Sequence, residues 1–325
     1  MKQIAVVLFL AVAGFPVSLS AQEQTAPIKQ AERTIAEKFP SSRFFDFEYE
    51  MLSPFDYTSK IHGENYEEGR IKSTNRYIAA FNYPVTISRR LSITPNVRYK
   101  HETLEFENVI NHSANFPTLY HDNRLETHYV STSMKTTYIS KLFGKPMVYN
   151  FNLMLDASDK GYEHMAANLV GLMVLKRNAN TTFTLGLVAS FDKTSMIPVF
   201  PLVSYEHRFR NSQWSFDMFF PKHIYFRRPM FTNGRLSLGT VLSKDRFFGH
   251  PGYSGLEDSY NVVKRKLKTG FVYEQYINKH FILSAKAGIV NTVEWEVAKK
   301  TSRKAIIGYF PDMNMYFIIG FSFNL

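Results

Sequence analysis

At 325 residues the chain has room for one large domain or two ordinary ones, and it contains no cysteine. That excludes disulfides, thiolate metal sites, cysteine catalysis and a lipid-modified cysteine anchor together. Its 39 Lys and Arg against 28 Asp and Glu give a formal charge of +11, which suits acidic solutes, a headgroup surface or an anion-favouring cavity. Nucleic acid is not expected, because the stretch before the first strand is mixed in charge and the N-terminus carries an export signal.

Residues 1–20 have the parts of a signal peptide: Lys2, an apolar core over 4–17, and Ser18-Leu19-Ser20 as a small-x-small cleavage site before Ala21. Its removal takes one charge, leaving +10. Residues 21–42 are polar, with a weak helical pattern over 28–39 and too little apolar surface for a plug domain; they read as a periplasmic leader. Aromatics make up 15%, with 29 Phe and 19 Tyr but 2 Trp, a bias that favours strands and membrane interfaces. No later segment is apolar for long enough to make a spanning helix. A barrel would hide its membrane signal, because lipid-facing and lumen-facing residues alternate.

From Phe44 onward the sequence alternates. The first strand sets Phe45, Phe47, Tyr49 and Met51 against Asp46, Glu48 and Glu50. A loop containing Gly63 and Gly69 leads to a second strand over 70–88, with Tyr77, Ala79, Phe81, Tyr83, Val85 and Ile87 outward. Lys72, Thr74, Arg76 and Asn82 face the other way. Arg89-Arg90 turns into a third strand, where Leu91, Ile93, Val97 and Tyr99 oppose Arg98, Lys100 and Glu102. Residues 107–123 form a long polar loop.

A weakly amphipathic strand over 125–139 is followed by a turn at Gly144-Lys145-Pro146 and a strand over 147–157. Residues 165–176 are apolar on both faces, so alternation gives them no orientation. Strands over 181–192 and 199–210 follow. Alternation then runs through Pro221, but proline cannot donate to a ladder, so a turn at Pro221-Lys222 splits the stretch from Trp214 into two strands. Asn233-Gly234 turns into the next strand, and 247–261 is another long loop. Two clean strands over 263–276 and 281–297 precede the last one, 313–325. The latter is apolar at every odd position from Met313 to Leu325.

The expected fold is all-β: a single antiparallel transmembrane barrel over 43–325, of about 14 strands with 12 or 16 as alternatives. Short turns alternate with longer polar loops, as for a periplasmic and an extracellular rim. Tyr83, Tyr99, Tyr138 and Phe143 suit a periplasmic aromatic belt. The expected lumen lining is Arg70, Lys72, Arg76, Arg98, Lys100, Glu102, Glu206, Arg208, Lys264, Lys266, Lys268, Lys286, Glu294 and Glu296. These groups would line a wet, mildly anion-favouring pore, or would pair into ladders that fill the lumen.

Phe321-Ser322-Phe323-Asn324-Leu325 after an aromatic strand, with Ser20-Ala21-Gln22 at the cleavage point, resembles Bacteroidota-type outer-membrane barrels. The runs Trp214-Ser215-Phe216-Asp217, Phe220-Pro221-Lys222-His223 and Gly234-Arg235-Leu236-Ser237-Leu238-Gly239 are similar to one such family, of unknown function. The resemblance implies the outer membrane of a Gram-negative-type bacterium, contact with its lipid, and assembly machinery that reads the final strand through Phe321, Phe323 and Leu325. Such strands usually end in an aromatic; here the last residue is Leu325, which makes Phe323 the expected recognition residue. The resemblance brings no catalytic residues.

His112, His121, Asp122 and His128 lie in or beside one long loop, but their spacing matches no compact ligand motif, and no metal or other cofactor is expected. A hydrolase would need Ser, His and a carboxylate together on the wall, with His128 near Ser131 and Ser133, or His207 beside Glu206, as the candidates. The reading is therefore non-enzymatic: a passive channel or transporter for small polar or anionic solutes. A non-conducting structural or surface-interaction barrel and a barrel-embedded hydrolase are the alternatives.

Overall fold

The computed structural model describes residues 42–324 apart from 114–115, 119–122, 193, 196, 252–258, 301 and 303. The signal-peptide reading, nearly all of the leader, His121, Asp122 and Leu325 lie outside the described residues. The strands form one closed antiparallel barrel of 14. They are β1 (Phe45–Leu52, resuming as Phe55–Ile61), β2 (Glu64–Asn82, continued by Val85–Thr86), β3 (Leu91–Asn111), β4 (Arg124–Leu142), β5 (Lys145–Ser158), β6 (Gly161–Arg177) and β7 (Thr181–Ser190). Then come β8 (Val199–Arg208), β9 (Ser215–Phe220), β10 (His223–Met230), β11 (Gly234–Gly249), β12 (Tyr260–Tyr276), β13 (Phe281–Lys299) and β14 (Ala305–Pro311, then Asn314–Phe323).

The barrel closes where β1 meets β14, in a register running from Phe45↔Phe323 to Leu52↔Tyr316. At this seam Phe323 packs against Phe281 and Phe44, with ring centroids 5.0 and 5.7 Å away. Pro221-Lys222 is a turn, as expected. Other boundaries shift: Gly69 lies inside β2 rather than in a loop, β3 runs on to Asn111, and β11 and β12 take both ends of the supposed 247–261 loop. Two turns are tight because the chain adopts positive φ at both central residues, His62-Gly63 (52° and 94°) and Phe143-Gly144 (52° and 72°). That twist matches the strands on either side.

Outward side chains form an apolar belt that includes Phe81, Met134, Phe151, Leu187, Phe226, Phe271, Leu283 and Ile319, all exposed. Water tolerates exposed apolar patches of a few hundred Å² at most, whereas a closed ladder with an apolar exterior is what hydrocarbon accepts. The belt therefore faces lipid, and the molecule is a transmembrane β-barrel.

The wall is not uniform in height. β9 has six residues and β10 eight. Six residues reach about 20 Å along a strand, or ~15 Å once tilted, against an apolar band about 25 Å tall. Where β10 stops, at His223↔Val241, β11 continues to Gly249 with β12 on its other side. Its outer part turns into the barrel. Asp245, Arg246, Phe247 and Phe248 are all buried in succession, so both faces of the strand are covered. Its backbone approaches β4 across the lumen.

Candidate functional site

The interior has three regions, and the first sits at the long-loop end between β1–β3 and β12–β14. It is an apolar core of Tyr57, Tyr66, Ile71, Leu104, Phe106, Trp295, Val297, Ile307 and Tyr309. Trp295 stacks on Tyr309 at 4.8 Å. Among the described residues, apolar side chains fill the lumen side there; the space among Phe106, Phe247 and Trp295 amounts to about 40 Å³.

Beneath this core lies an ionic layer that crosses the lumen. Arg76 of β2 pairs with Glu50 of β1 and, at 2.5 Å, with Asp245 of β11. Lys268 of β12 reaches Glu50 at 2.6 Å, Lys264 pairs with Glu102, and Lys100 stands 3.6 Å from Asp245 and 4.7 Å from the Tyr129 ring centre. Arg76, Glu50 and Glu102 are each exposed by 2%. Lys286 pairs with Glu48, and Arg43 with Glu274 at 2.6 Å.

On the opposite face of β11, Arg246 donates to Asp192 (2.8 Å), Thr194 (2.8 Å) and His164 (3.0 Å). Phe248 stacks on Tyr129 at 6.2 Å. The Asp192 carboxyl, in the loop beyond β7, feels burial pushing its pKa up. Hydrogen bonds from His164, Thr194 and Arg246 outweigh that and hold it below the usual range. Nearer the rim, Glu163 accepts from Ser158 (2.6 Å), His250 (2.8 Å), Ser259 (2.9 Å) and Lys300 (2.8 Å), tying three outer connections together.

The third region is a vestibule of about 1500 Å³ at the short-turn end. One wall, from β4–β6, is mainly apolar, with Ile139, Val148, Leu172 and Val174 beside Asn150. The facing wall, from β8–β11, brings Arg208, Arg227 and Arg235; with Arg177 and Lys279 that makes five cations against Glu206 and Asp217. Arg227 pairs with Asp217 at 2.9 Å and Arg235 with Glu274 at 2.5 Å. Arg228 is on the outward side of β10 and lies over Trp214, 5.4 Å from the ring centre.

Of the residues expected in the lumen, Arg76, Lys100, Glu102, Lys264, Lys266 and Lys268 are buried within the barrel. Lys286 pairs inside with Glu48, Arg98 points inward from β3, and Glu206 and Arg208 line the vestibule. Four lie elsewhere. Arg70 and Lys72 are exposed, because the β2–β3 register slips between Glu68 and Arg70 and again between Ile71 and Ser73. Glu294 pairs with Arg265 on the outer face, and Glu296 follows it outward. A bulge at Val293, between Lys266↔Thr292 and Arg265↔Glu294, turns Trp295 and Val297 into the core.

The histidine candidates do not converge. His112 stands 3.5 Å from Glu68 at the rim, while His128 lies lower on the outer wall. His128 points outward and Ser131 inward from the same strand. His207 meets Thr181 (2.9 Å) on the outer face while Glu206 faces the vestibule. Asp245, Arg246, Asp192 and the apolar vestibule wall were not anticipated. The one available signal is that alternation fails in both segments, over 165–176 and at Asp245-Arg246-Phe247-Phe248.

Neither a family model nor a curated protein matches the chain. Among solved structures it is similar to an outer-membrane channel from Pseudomonas putida F1, with 10% identity and a TM-score of 0.41 over 85% of this chain and 93% of that one. It is also similar to the P. putida toluene transporter TodX (7%, 0.33, over 86% and 90%). A third is the transport unit of the Escherichia coli autotransporter AIDA-I (11%, 0.31, over 99% and 97%). At these scores the likenesses carry no argument about function. The barrel rests on the chain's own strand pairing.

Proposed function

We propose that this is an outer-membrane barrel of a Gram-negative-type bacterium that binds small anionic solutes with an apolar part at its periplasmic end. In this reading it is closed toward the exterior in the conformation described. The observation that carries it is the vestibule: an arginine-rich wall facing an aliphatic one, beneath a lumen filled by side chains. A carboxylate or phosphate gains charge-assisted hydrogen bonds on one side while its apolar portion leaves water on the other. Passage through the barrel then requires the outer part of β11 to move, so the protein is a closed transporter rather than a steadily open pore.

The test is binding of 2-naphthoate to the protein in nanodiscs, with 2-naphthalenemethanol as the uncharged control. Saturable binding of the anion is expected, weakened about tenfold, ~1.4 kcal/mol, when Arg208→Gln and Arg177→Gln are combined. Equal binding of the uncharged analogue, or no effect of the substitutions, would count against the vestibule. A non-conducting structural barrel is the second reading, favoured by the same filled lumen; it predicts no saturable ligand at all. Export by a cleaved signal peptide and recognition of Phe323 by assembly machinery belong to both readings. Phe323→Asp should block insertion into the outer membrane.

A further inference from the structure

We infer that the outer wall of the barrel carries a transition-metal site formed by His101, Glu126 and His128. His101 of β3 is the register partner of His128 of β4. Their outward rings are nearly parallel, with centroids 4.6 Å apart. Glu126, two residues before His128, points out on the same face. Its Oε1 lies 2.8 Å from His101 Nε2 and 3.8 Å from His128 Nε2, and the three ligand atoms all fall within 4.8 Å of one another. Tetrahedral coordination at about 2.0–2.1 Å spaces ligand atoms about 3.3 Å apart, so small side-chain rotations bring all three onto one ion.

Two of the remaining polar atoms of the cluster are occupied in the way a metal site needs. His128 Nδ1 meets the Tyr99 hydroxyl at 2.9 Å, which leaves Nε2 for the ion. Arg124 stands 3.4 Å from Glu126 Oε2, leaving Oε1 to the imidazoles. His101 is further steadied by stacking on Tyr77 at 6.1 Å. A purely structural stack of imidazoles would not need both Nε2 atoms to face one carboxylate oxygen. Two neutral imidazoles and one carboxylate suit zinc and its neighbours rather than calcium or magnesium, which prefer all-oxygen sites.

The position fits an accessible site. Ten residues of β4 separate His128 from Tyr138 in the lower aromatic belt, about 25 Å along the tilted wall, which is about the height of the apolar band. The cluster therefore lies at the outer interface, where Glu126 and His128 side chains remain 43% and 41% exposed. Three protein ligands leave a fourth position open to water or to an anionic headgroup oxygen. The site is separate from the vestibule and does not depend on what binds there.

The test is Zn²⁺ titration calorimetry on the chelator-washed protein in detergent, with Co²⁺ absorption as a second readout. One equivalent of Zn²⁺ is expected to bind in the micromolar range or tighter, and Co²⁺ to give the strong visible bands of tetrahedral coordination. His101→Ala or His128→Ala should abolish both signals. Tyr99→Phe, which removes the group orienting His128, should weaken Zn²⁺ by about 10–100-fold. His112→Ala should change nothing. Heat-modifiable migration in gels confirms that each variant is folded. Zn²⁺ binding no tighter in the wild type than in a chain with both His101→Ala and His128→Ala, or an octahedral Co²⁺ spectrum, would overturn the assignment.

Discussion

Arg76 shows most directly how single residues hold this barrel closed. Its guanidinium lies between Glu50 and Asp245, with Glu102 3.8 Å away. A buried ion pair adds little net stability over a well-packed apolar pair, but removing one partner leaves the other charge buried and uncompensated. Arg76→Ala should therefore cost about 3–5 kcal/mol, read as a lower denaturant midpoint for the refolded barrel. Exposed Arg70 is the control: its partners Asp56 and Glu107 sit in solvent, and Arg70→Ala should fall within about 1 kcal/mol of wild type. Arg246 has a different part. It joins β11 to Asp192 and Thr194, so Arg246→Ala should loosen the closure and raise conductance as well as lowering stability.

At the scale of elements, β11 and β13 separate what alternation reveals from what it conceals. The wall strands were legible because one face meets lipid and the other a polar interior, as in β1, where Asp46 and Glu50 are buried opposite exposed Met51. Alternation records only which residues differ from their neighbours. It lost the phase of β13 at Val293, since a single extra residue moves every later side chain to the other face. It gave no orientation to β6 because Leu172 and Val174, on the inward side, line an apolar vestibule wall while Leu169 meets lipid outside. The candidate site was half legible for the same reason: the cations stood out, but their pairing across the lumen depends on strands far apart in sequence. Close strand contact is equally invisible. Gly270 and Gly288 face each other across β12 and β13, and a Cβ on Gly288 would fall 2.1 Å from the Thr269 carbonyl oxygen. Gly288→Ala should thus lower the yield of heat-modifiable barrel, whereas Gly63→Ala, with open space around its Cβ, strains only a turn.

The whole molecule is an asymmetric barrel. Its long-loop half is filled by an apolar core and an ionic layer, and its short-turn half opens into a vestibule with one cationic and one aliphatic wall. The low β9–β10 wall allows this, because beyond Leu242 β11 keeps only β12 as a ladder neighbour and packs against β4, β5, β6 and the loop beyond β7. A wall of uniform height would hold the outer part of β11 between two ladder neighbours.

Planar-bilayer recording tests this account most directly. The wild-type protein should show no steady conductance at moderate voltage, and Asp245→Ala combined with Arg246→Ala should produce one. A large ohmic conductance in the wild type, unchanged in that double variant, would contradict a lumen closed by β11.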